Sequence, residues 1–390
     1  MRSNDIKRDN QHERRAKEVL KRSDKWICAY PGCTSKSVFS HAISKSISLD
    51  TIAEDGHLQT IKSQRKGDVK DITFGPIGIN DATAFNGFCS QHEALFDALD
   101  TRKIENARDL MLQAYRTVIA ESINESRLAT LNAEEYKATD LDELLGKLDA
   151  ADNPWLEDEQ AQELFKAEYG KLAVSATRRA VSLLQLPSQI LTKIDVPGNQ
   201  RLDGNSVIST EQLSHYIPYR RLEVRLPVAV NAMIHGVLGG QRRDFFFAVI
   251  PYADSTLVFG VIPKECPESL LDGLMESFSS DPGLIDLVES VMISSNEWYL
   301  TPSVLTKMPS EKKKVFLHDC TFFIEHRFYE QYDMILLEEA RRNLAKNQPE
   351  LIAALRLDQV DYVPSREDFA LRHERMIAAM CAQPFEVQEM

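Results

Sequence analysis

Two pairs of metal-binding side chains constrain the fold of this chain more than any other feature of its sequence. Cys28 and Cys33 form a C-x4-C pair, and Cys89 and His92 form a C-x2-H pair further along the chain. Tyr30-Pro31-Gly32 predicts a tight turn inside the first pair, and the second spacing puts both side chains on one face of a helix. Because zinc takes four nitrogen or sulfur ligands, the two pairs together predict a structural zinc site.

Two other states of these cysteines stay open. They could be buried as small apolar residues. A Cys28–Cys33 disulfide is the less favoured alternative, because thiols in the cytosol stay reduced. A structural metal has the further advantage that it closes a segment too small to build a core of its own.

The charge of the chain is unevenly distributed. The whole sequence carries a net charge of −13, whereas residues 1–70 contain 15 Lys and Arg against 9 Asp and Glu. A basic segment on an acidic chain predicts local contact with a polyanion, namely DNA or RNA, with Arg14 and Arg15 among the residues expected to bind it. The alternative is a solvated basic helix, because residues 4–22 lack Gly and Pro and include Arg14 and Arg15.

No apolar run of the sequence is long enough to cross a membrane. The longest, from Leu226 to Gly240, contains Asn231 and His235 and falls short of the roughly 20 residues of a transmembrane helix. The polar, basic N-terminal segment predicts neither a secretory nor a membrane sequence. We therefore expect a soluble cytoplasmic protein without a membrane partner.

The hydrophobic pattern predicts an α+β protein of three consecutive domains, at residues 1–103, 104–195 and 196–390. In the first domain, we expect strands at 38–43 and 58–62 and a polar loop from Lys62 to Lys70. The central region is predicted to be helical, with a break at Asp152-Asn153-Pro154 and an end at Pro187. It is interpreted as a scaffold or as a surface for homo-oligomerisation.

The C-terminal region is predicted to be a small, mostly antiparallel sheet covered by helices. Alternating and β-branched residues predict a strand near 221–226, a hairpin at 244–262 and a short strand at 321–324. Helices are expected at 267–279, 282–294, 302–316, 327–346 and 365–381.

Residues 26–100 resemble a treble-clef finger and the zinc-containing HNH endonucleases, as well as a group of uncharacterised bacterial proteins with similar Cys and Ser-His spacing. The order is a zinc knuckle, a strand that carries a histidine, a hairpin, and a helix with the second ligand pair. The HNH motif Asp-His-Ile-(Ile/Val)-Pro corresponds to Ser40-His41-Ala42-Ile43-Ser44. The resemblance implies a ββα-metal module that hydrolyses phosphodiesters.

The resemblance also implies roles for particular residues. His41 would be the general base, and Mg²⁺ or Mn²⁺ would stabilise the transition state. Asp97 is the first choice for an oxygen ligand of that metal, and Asp100 is the alternative. Ser40 stands where the family has an acidic residue. Phosphates would be neutralised by nearby basic side chains, namely Lys45, Arg65 and Lys66.

His41 has two other interpretations, as a zinc ligand or as a hydrogen-bonding residue of the fold. Candidates for other family positions are Asn80, Asn86 and His57. The leading functional hypothesis is an HNH-like metal-dependent nuclease, and by analogy such a module suits bacterial defence. The alternative is a non-catalytic zinc module that binds nucleic acid or a protein, with the function of the chain in its C-terminal α+β domain.

Overall fold

The computed structural model describes residues 14–20, 26–66, 69–148, 153–209, 211–238, 241–326 and 332–365, together with Leu371 and Glu374. Its helices and strands confirm the predicted α+β class. The α-helices are α1 (14–20), α2 (Asp50–Ile52), α3 (Ser90–Glu93), α4 (Asp97–Thr101), α5 (Ala107–Ala138), α6 (Leu141–Gly146), α7 (Glu159–Ser182), α8 (Gln185–Leu191), α9 (Glu268–Ser279), α10 (Asp281–Ser294), α11 (Pro302–Lys307), α12 (Ser310–His326) and α13 (Glu338–Asn347).

The described strands form two sheets. They are β1 (Phe39–His41), β2 (His57–Lys66), β3 (Val69–Gly78), β4 (Ala84–Asn86), β5 (Asn205–Ile208), β6 (His215–Leu222), β7 (Val228–Leu238), β8 (Gln241–Pro251), β9 (Thr256–Pro263) and β10 (Trp298–Leu300). β1 and β4 form a small sheet. The other eight form one sheet in the order β3-β2-β10-β7-β8-β9-β6-β5, and every neighbouring pair is antiparallel.

Contacts along the chain define two compact units that interleave in sequence. The first consists of the N-terminal segment through Phe39, Phe85–Cys89 and Ile119–Gln189; the second consists of Ser40–Ala84, Ser90–Val118 and the residues from Ile190 onward. These units do not coincide with the three consecutive domains that the sequence predicts. The difference arises because the β2–β3 hairpin pairs through β10 with the sheet of the C-terminal region.

In the first unit, the C-terminal part of α5 packs antiparallel to α7. The Tyr136 and Tyr169 rings meet edge to face with centroids 5.4 Å apart. Nearer the other end, the Ser126 hydroxyl donates to the Ala180 carbonyl at 2.8 Å. Ala173 and Ala180 are the buried small residues that allow α7 to approach its neighbour.

In the second unit, the centre of the eight-stranded sheet is buried on both faces. On β8, Phe245, Phe247 and Val249 belong to the core formed with α9, α10, α12 and α13. The alternate residues of that strand, Phe246, Ala248 and Ile250, are also buried. Successive side chains of a strand point to opposite faces. The continuous apolar run of β7 and β8 therefore reflects a central strand pair buried on both sides.

An aromatic cluster attaches the β2–β3 hairpin to this sheet. Trp298 of β10 is fully buried and stacks on Phe316 of α12 at a centroid distance of 5.5 Å. Phe74 of β3 lies 5.1 Å from Phe316 and 6.1 Å from Trp298. Burial of such side chains is worth roughly 2–3 kcal/mol each, which stabilises a pairing between segments far apart in sequence.

Several local predictions differ from the structure, and three of the differences have a clear physical reason. The segment from Lys62 to Lys70 is not a loop, because β2 and β3 pair as far as Lys66 and Val69; polar strand ends show no hydrophobic pattern. Residues 321–324 lie in α12 and do not form a strand. The strand prediction was wrong because a short apolar run does not distinguish a strand from a buried helix. Pro187 lies inside the first turn of α8, where its missing N–H costs no helical hydrogen bond.

Candidate metal centre and His41 site

A tight backbone loop presents the first cysteine pair. Cys33 N–H donates to the Tyr30 carbonyl at 3.0 Å, and Cys28 N–H donates to the Ser35 carbonyl at 2.8 Å. Gly32 has a φ of +76°, a left-handed conformation that glycine adopts without a steric penalty. The sequence Tyr30-Pro31-Gly32 therefore turns the chain as predicted.

The four predicted ligands converge. The ligand atoms of Cys28, Cys33, Cys89 and His92 all lie within 4.8 Å of one another. The Sγ atoms of Cys33 and Cys89 are 3.9 Å apart, and two thiolates on one tetrahedral zinc are about 3.8 Å apart. This Cys3His set can hold a metal ion such as zinc. The Cys33–Cys89 distance is far too long for a disulfide, and within the described part of the chain Cys28, Cys33 and Cys89 form no disulfide.

The cysteines differ in their burial and in the pKa of their thiols. Cys28 and Cys89 are buried, whereas Cys33 is partly exposed. Burial raises the pKa of the Cys28 thiol to about 11. Hydrogen bonding to the Ser35 backbone lowers the pKa of Cys33 below its usual value.

Arg127 supports the backbone next to the cysteine loop in the first unit. Its guanidinium stacks over the Trp26 ring at 4.1 Å and donates to the Asn86 carbonyl.

His41 lies at the end of β1 in the second unit, where neighbouring backbone is held firmly. Ala42 N–H donates to the Thr83 carbonyl at 2.8 Å. The buried Gln113 side chain of α5 donates to the Ala42 carbonyl at 2.8 Å. These bonds position the partly buried His41 side chain against the loop that follows β3.

The electrostatic environment keeps His41 neutral. Burial lowers the pKa of its imidazole, and the positive charge of Arg116 lowers it further. Hydrogen bonding to the backbone of Asn80 and Ile79, together with the negative charge of Asp100, partly offsets this. A lowered pKa means that the neutral ring, which can accept a proton, predominates at neutral pH.

Beside His41 lies a buried network of charges centred on Arg116. Its guanidinium donates to both carboxylate oxygens of Asp100 at 2.8 and 3.1 Å, and to Glu93 at 3.0 Å. The Arg116 side chain is only 2% exposed and lies 4.8 Å above the Phe96 ring. Glu93 also accepts a hydrogen bond from the Ser40 hydroxyl at 2.5 Å. Burial raises the pKa of Glu93, and the charge of Arg116 opposes that rise.

The predicted acidic residues have different surroundings. Asp97 is exposed at the start of α4. Asp100, the alternative on the same helix, lies close enough to His41 for its negative charge to raise the pKa of the imidazole. Lys45 donates to the Asn80 side chain at 2.7 Å, which places one predicted phosphate-binding cation beside the His41 loop.

The predicted basic residues are less fully described. Arg14 is exposed on α1. Arg15 pairs with Glu135 at 2.9 Å and with Glu134 at 3.7 Å. Arg65 and Lys66 lie in β2, and their side chains are outside the described part of the chain.

Sequence reasoning missed Glu93 and Arg116. Glu93 directly follows the ligand His92, so its helix position was available from the spacing alone. Arg116 lies within the apolar stripe of α5, flanked by the buried Tyr115 and Thr117. An arginine within such a stripe is a signal of a buried partner, because guanidinium groups are rarely buried unpaired.

In the described residues, no helix combines the length and apolar character needed to span a bilayer. No protein-family model matches the chain, and neither the curated proteins nor the solved structures contain a match.

Proposed function

We propose that this chain is a metal-dependent nuclease of the HNH-like type, with a structural zinc ion in the Cys3His cluster and His41 as general base. The observation that carries this proposal is the neutral, partly buried imidazole of His41, whose pKa responds to the charges of Arg116 and Asp100, with Glu93 bound to the same Arg116. Perturbed titratable groups clustered in one place are a common mark of a catalytic site.

The cluster fits a structural metal rather than a catalytic one. Cys28, Cys33, Cys89 and His92 offer four ligand atoms, and a zinc ion held by all four would have no open position for water. The zinc would fix the short segment from Cys89 to His92, which leads directly into Glu93.

His41 has the properties required of a general base. Its neutral ring accepts a proton from water as the water attacks a phosphodiester. Asp100 stabilises the imidazolium that forms, whereas Arg116 restrains the rise of its pKa. Burial and the positive charge of Arg116 outweigh the effect of Asp100, so the pKa of the base stays low enough for the neutral ring to be available at neutral pH.

In this proposal the carboxylates of the site come from α3 and α4, and none comes from β1. Ser40, at the position of the family's acidic residue, is tied to Glu93 by the 2.5 Å hydrogen bond. Mg²⁺ or Mn²⁺ would take oxygen ligands from Asp100, which is 35% exposed, and from Asp97, and would stabilise charge on the pentavalent phosphorus. Lys45 would bind a neighbouring phosphate.

One observation favours a second function. Arg116 already neutralises both Glu93 and Asp100, and a paired carboxylate is a weaker ligand for a divalent cation. A non-catalytic zinc module would need no such ligand. On this second proposal, the module binds nucleic acid or a protein partner without cleaving it.

Cleavage assays separate the two functions. Supercoiled, linear and single-stranded DNA, and RNA, would be incubated with Mg²⁺ or Mn²⁺ and wild type, His41→Ala or His318→Ala. His318 is an exposed histidine on α12 and serves as the matched control. Zinc content would be measured in each protein.

The nuclease proposal expects cleavage by wild type and His318→Ala, none by His41→Ala, and equal zinc in all three. Absence of cleavage by wild type, with salt-sensitive binding retained, would support the non-catalytic module instead. Loss of zinc from His41→Ala would identify His41 as a metal ligand and contradict its role as a base.

A further inference from the structure

Helix α7 of the first unit carries an exposed, uncharged stripe that flanks its buried residues, Ala173 and Ala180. The stripe follows the three- and four-residue spacing of a helix seam. Every member is exposed, and Val174 and Val181 are 50% and 62% exposed. Its members are Ala167, Gly170, Val174, Thr177 and Val181, and Leu184 continues the spacing just beyond the helix.

Packing inside the chain does not account for the glycine in this stripe. Gly170 lies in the middle of a 24-residue helix, where glycine costs about 1 kcal/mol relative to alanine. No heavy atom of the described chain outside its own helix backbone lies within 4 Å of the position that a Cβ would occupy. A small residue on an exposed helix face allows a second helix to approach closely, so the glycine suits contact with another molecule.

The charges of α7 select the direction of that contact. The half from Glu159 to Gly170 contains three glutamates and one lysine, whereas the half from Lys171 to Ser182 contains two arginines and one lysine. Two copies of the helix in antiparallel orientation bring each acidic half against a basic half. A parallel pair would bring like charges together, at a cost in free energy.

We propose that the α7 stripe is the homodimer interface of this protein, in which α7 of one protomer packs antiparallel against α7 of a second copy. An antiparallel pair of identical helices has the twofold symmetry of an isologous interface. The small residues permit close approach of the two backbones, and Val174, Val181 and Leu184 supply the apolar contacts. The interface is independent of the His41 site and of the proposed nuclease function.

Sedimentation velocity of the full chain over a wide concentration range tests this interface. The perturbing variant is Val174→Glu with Val181→Glu, which places charges in the stripe. Leu172→Glu is the matched control, because Leu172 is a similarly exposed apolar residue of α7 outside the stripe, at 45% exposure. Circular dichroism and thermal unfolding of each monomer check that the fold is retained.

We expect wild type and Leu172→Glu to dimerise and the double variant to be monomeric with unchanged thermal stability. Charge reversal tests the orientation: Glu163→Arg and Arg178→Glu should each weaken the dimer, and their combination should restore it. A wild type that is monomeric at every concentration, or a dimer that survives Val174→Glu with Val181→Glu, would overturn the proposal. A monomeric wild type whose double variant is less stable would show that the chain itself covers the stripe.

Discussion

Replacement of Arg116 by methionine tests the buried charge network most directly. Methionine keeps most of the side-chain volume and removes the guanidinium. The variant loses two hydrogen bonds to Asp100, at 2.8 and 3.1 Å, and one to Glu93 at 3.0 Å. It also leaves two carboxylates close together without their shared cation.

The size of the effect follows from how deeply the partners are buried. Removal of one member of a fully buried ion pair costs about 3–5 kcal/mol, because the remaining charge stays desolvated. Arg116 is 2% exposed, but Glu93 and Asp100 retain 23% and 35% exposure, so water partly solvates the carboxylates that remain. We therefore expect a loss near the lower end of that range, about 3 kcal/mol.

The loss should depend on pH with a definite sign. The pKa of Glu93 is already raised by burial, and the charge of Arg116 opposes the rise, so the Arg116→Met substitution raises it further. A carboxyl group with a folded-state pKa above its unfolded value binds protons more strongly in the folded protein. Stability from this group is present at acidic pH and is lost as the pH rises through the raised pKa. The deficit of the variant is therefore largest at neutral pH and shrinks in acid.

Urea unfolding of wild type and Arg116→Met at neutral and acidic pH measures both quantities. Arg108→Met is the control on the same helix, because Arg108 pairs with the largely exposed Asp195 at 2.7 Å and should cost less than about 1 kcal/mol. A deficit no larger than that of Arg108→Met, or one that does not diminish in acid, would refute the reasoning.

Three further outcomes are expected. Cys89→Ser should lower the bound metal per chain in elemental analysis and reduce thermal stability, and full metal content in this variant would contradict the Cys3His site. Arg341→Met should lower the free energy of unfolding in urea by about 3–5 kcal/mol, because the fully buried Arg341 bonds Glu289 at 2.5 Å and Asp286 at 2.6 Å. The control Arg342→Met, at an exposed residue of the same helix, should lower it by less than about 1 kcal/mol. In NMR titrations, His41 should show a pKa below the ordinary histidine range that moves upward in Arg116→Met; an unchanged value would disprove their electrostatic coupling.

Features set by neighbouring residues could be predicted from the sequence. The arrangement within each ligand pair, Cys28 with Cys33 and Cys89 with His92, was expected because each pair is placed by its own local backbone, a turn in one case and a helix start in the other. The β8–β9 hairpin was expected for the same reason, since aromatic and β-branched residues flank a short turn. Local conformational preference and spacing contain this information in a few consecutive residues.

The partners of charged side chains could not be predicted in this way. Nothing near Arg116 in the sequence identifies Glu93 and Asp100 as its partners, because α5 has to fold back beside α3 and α4 before the three meet. The same holds for Ser40, whose hydrogen bond to Glu93 joins residues that lie 53 positions apart. Electrostatic interactions of this kind depend on distance in space and leave no periodic pattern.

By itself, the sequence determined the ligand pairs, most helices and the hairpins of the C-terminal region, since each depends on residues within a few turns of one another. Only the tertiary structure decided that the β2–β3 hairpin joins the sheet of the C-terminal region. The pairing of β2 with β10 connects Gln59 to Leu300, and the contact of Phe74 with Trp298 and Phe316 stabilises it. A strand edge offers the same backbone donors and acceptors to any partner, so its neighbour is chosen by burial of side chains that come together only when the whole unit folds.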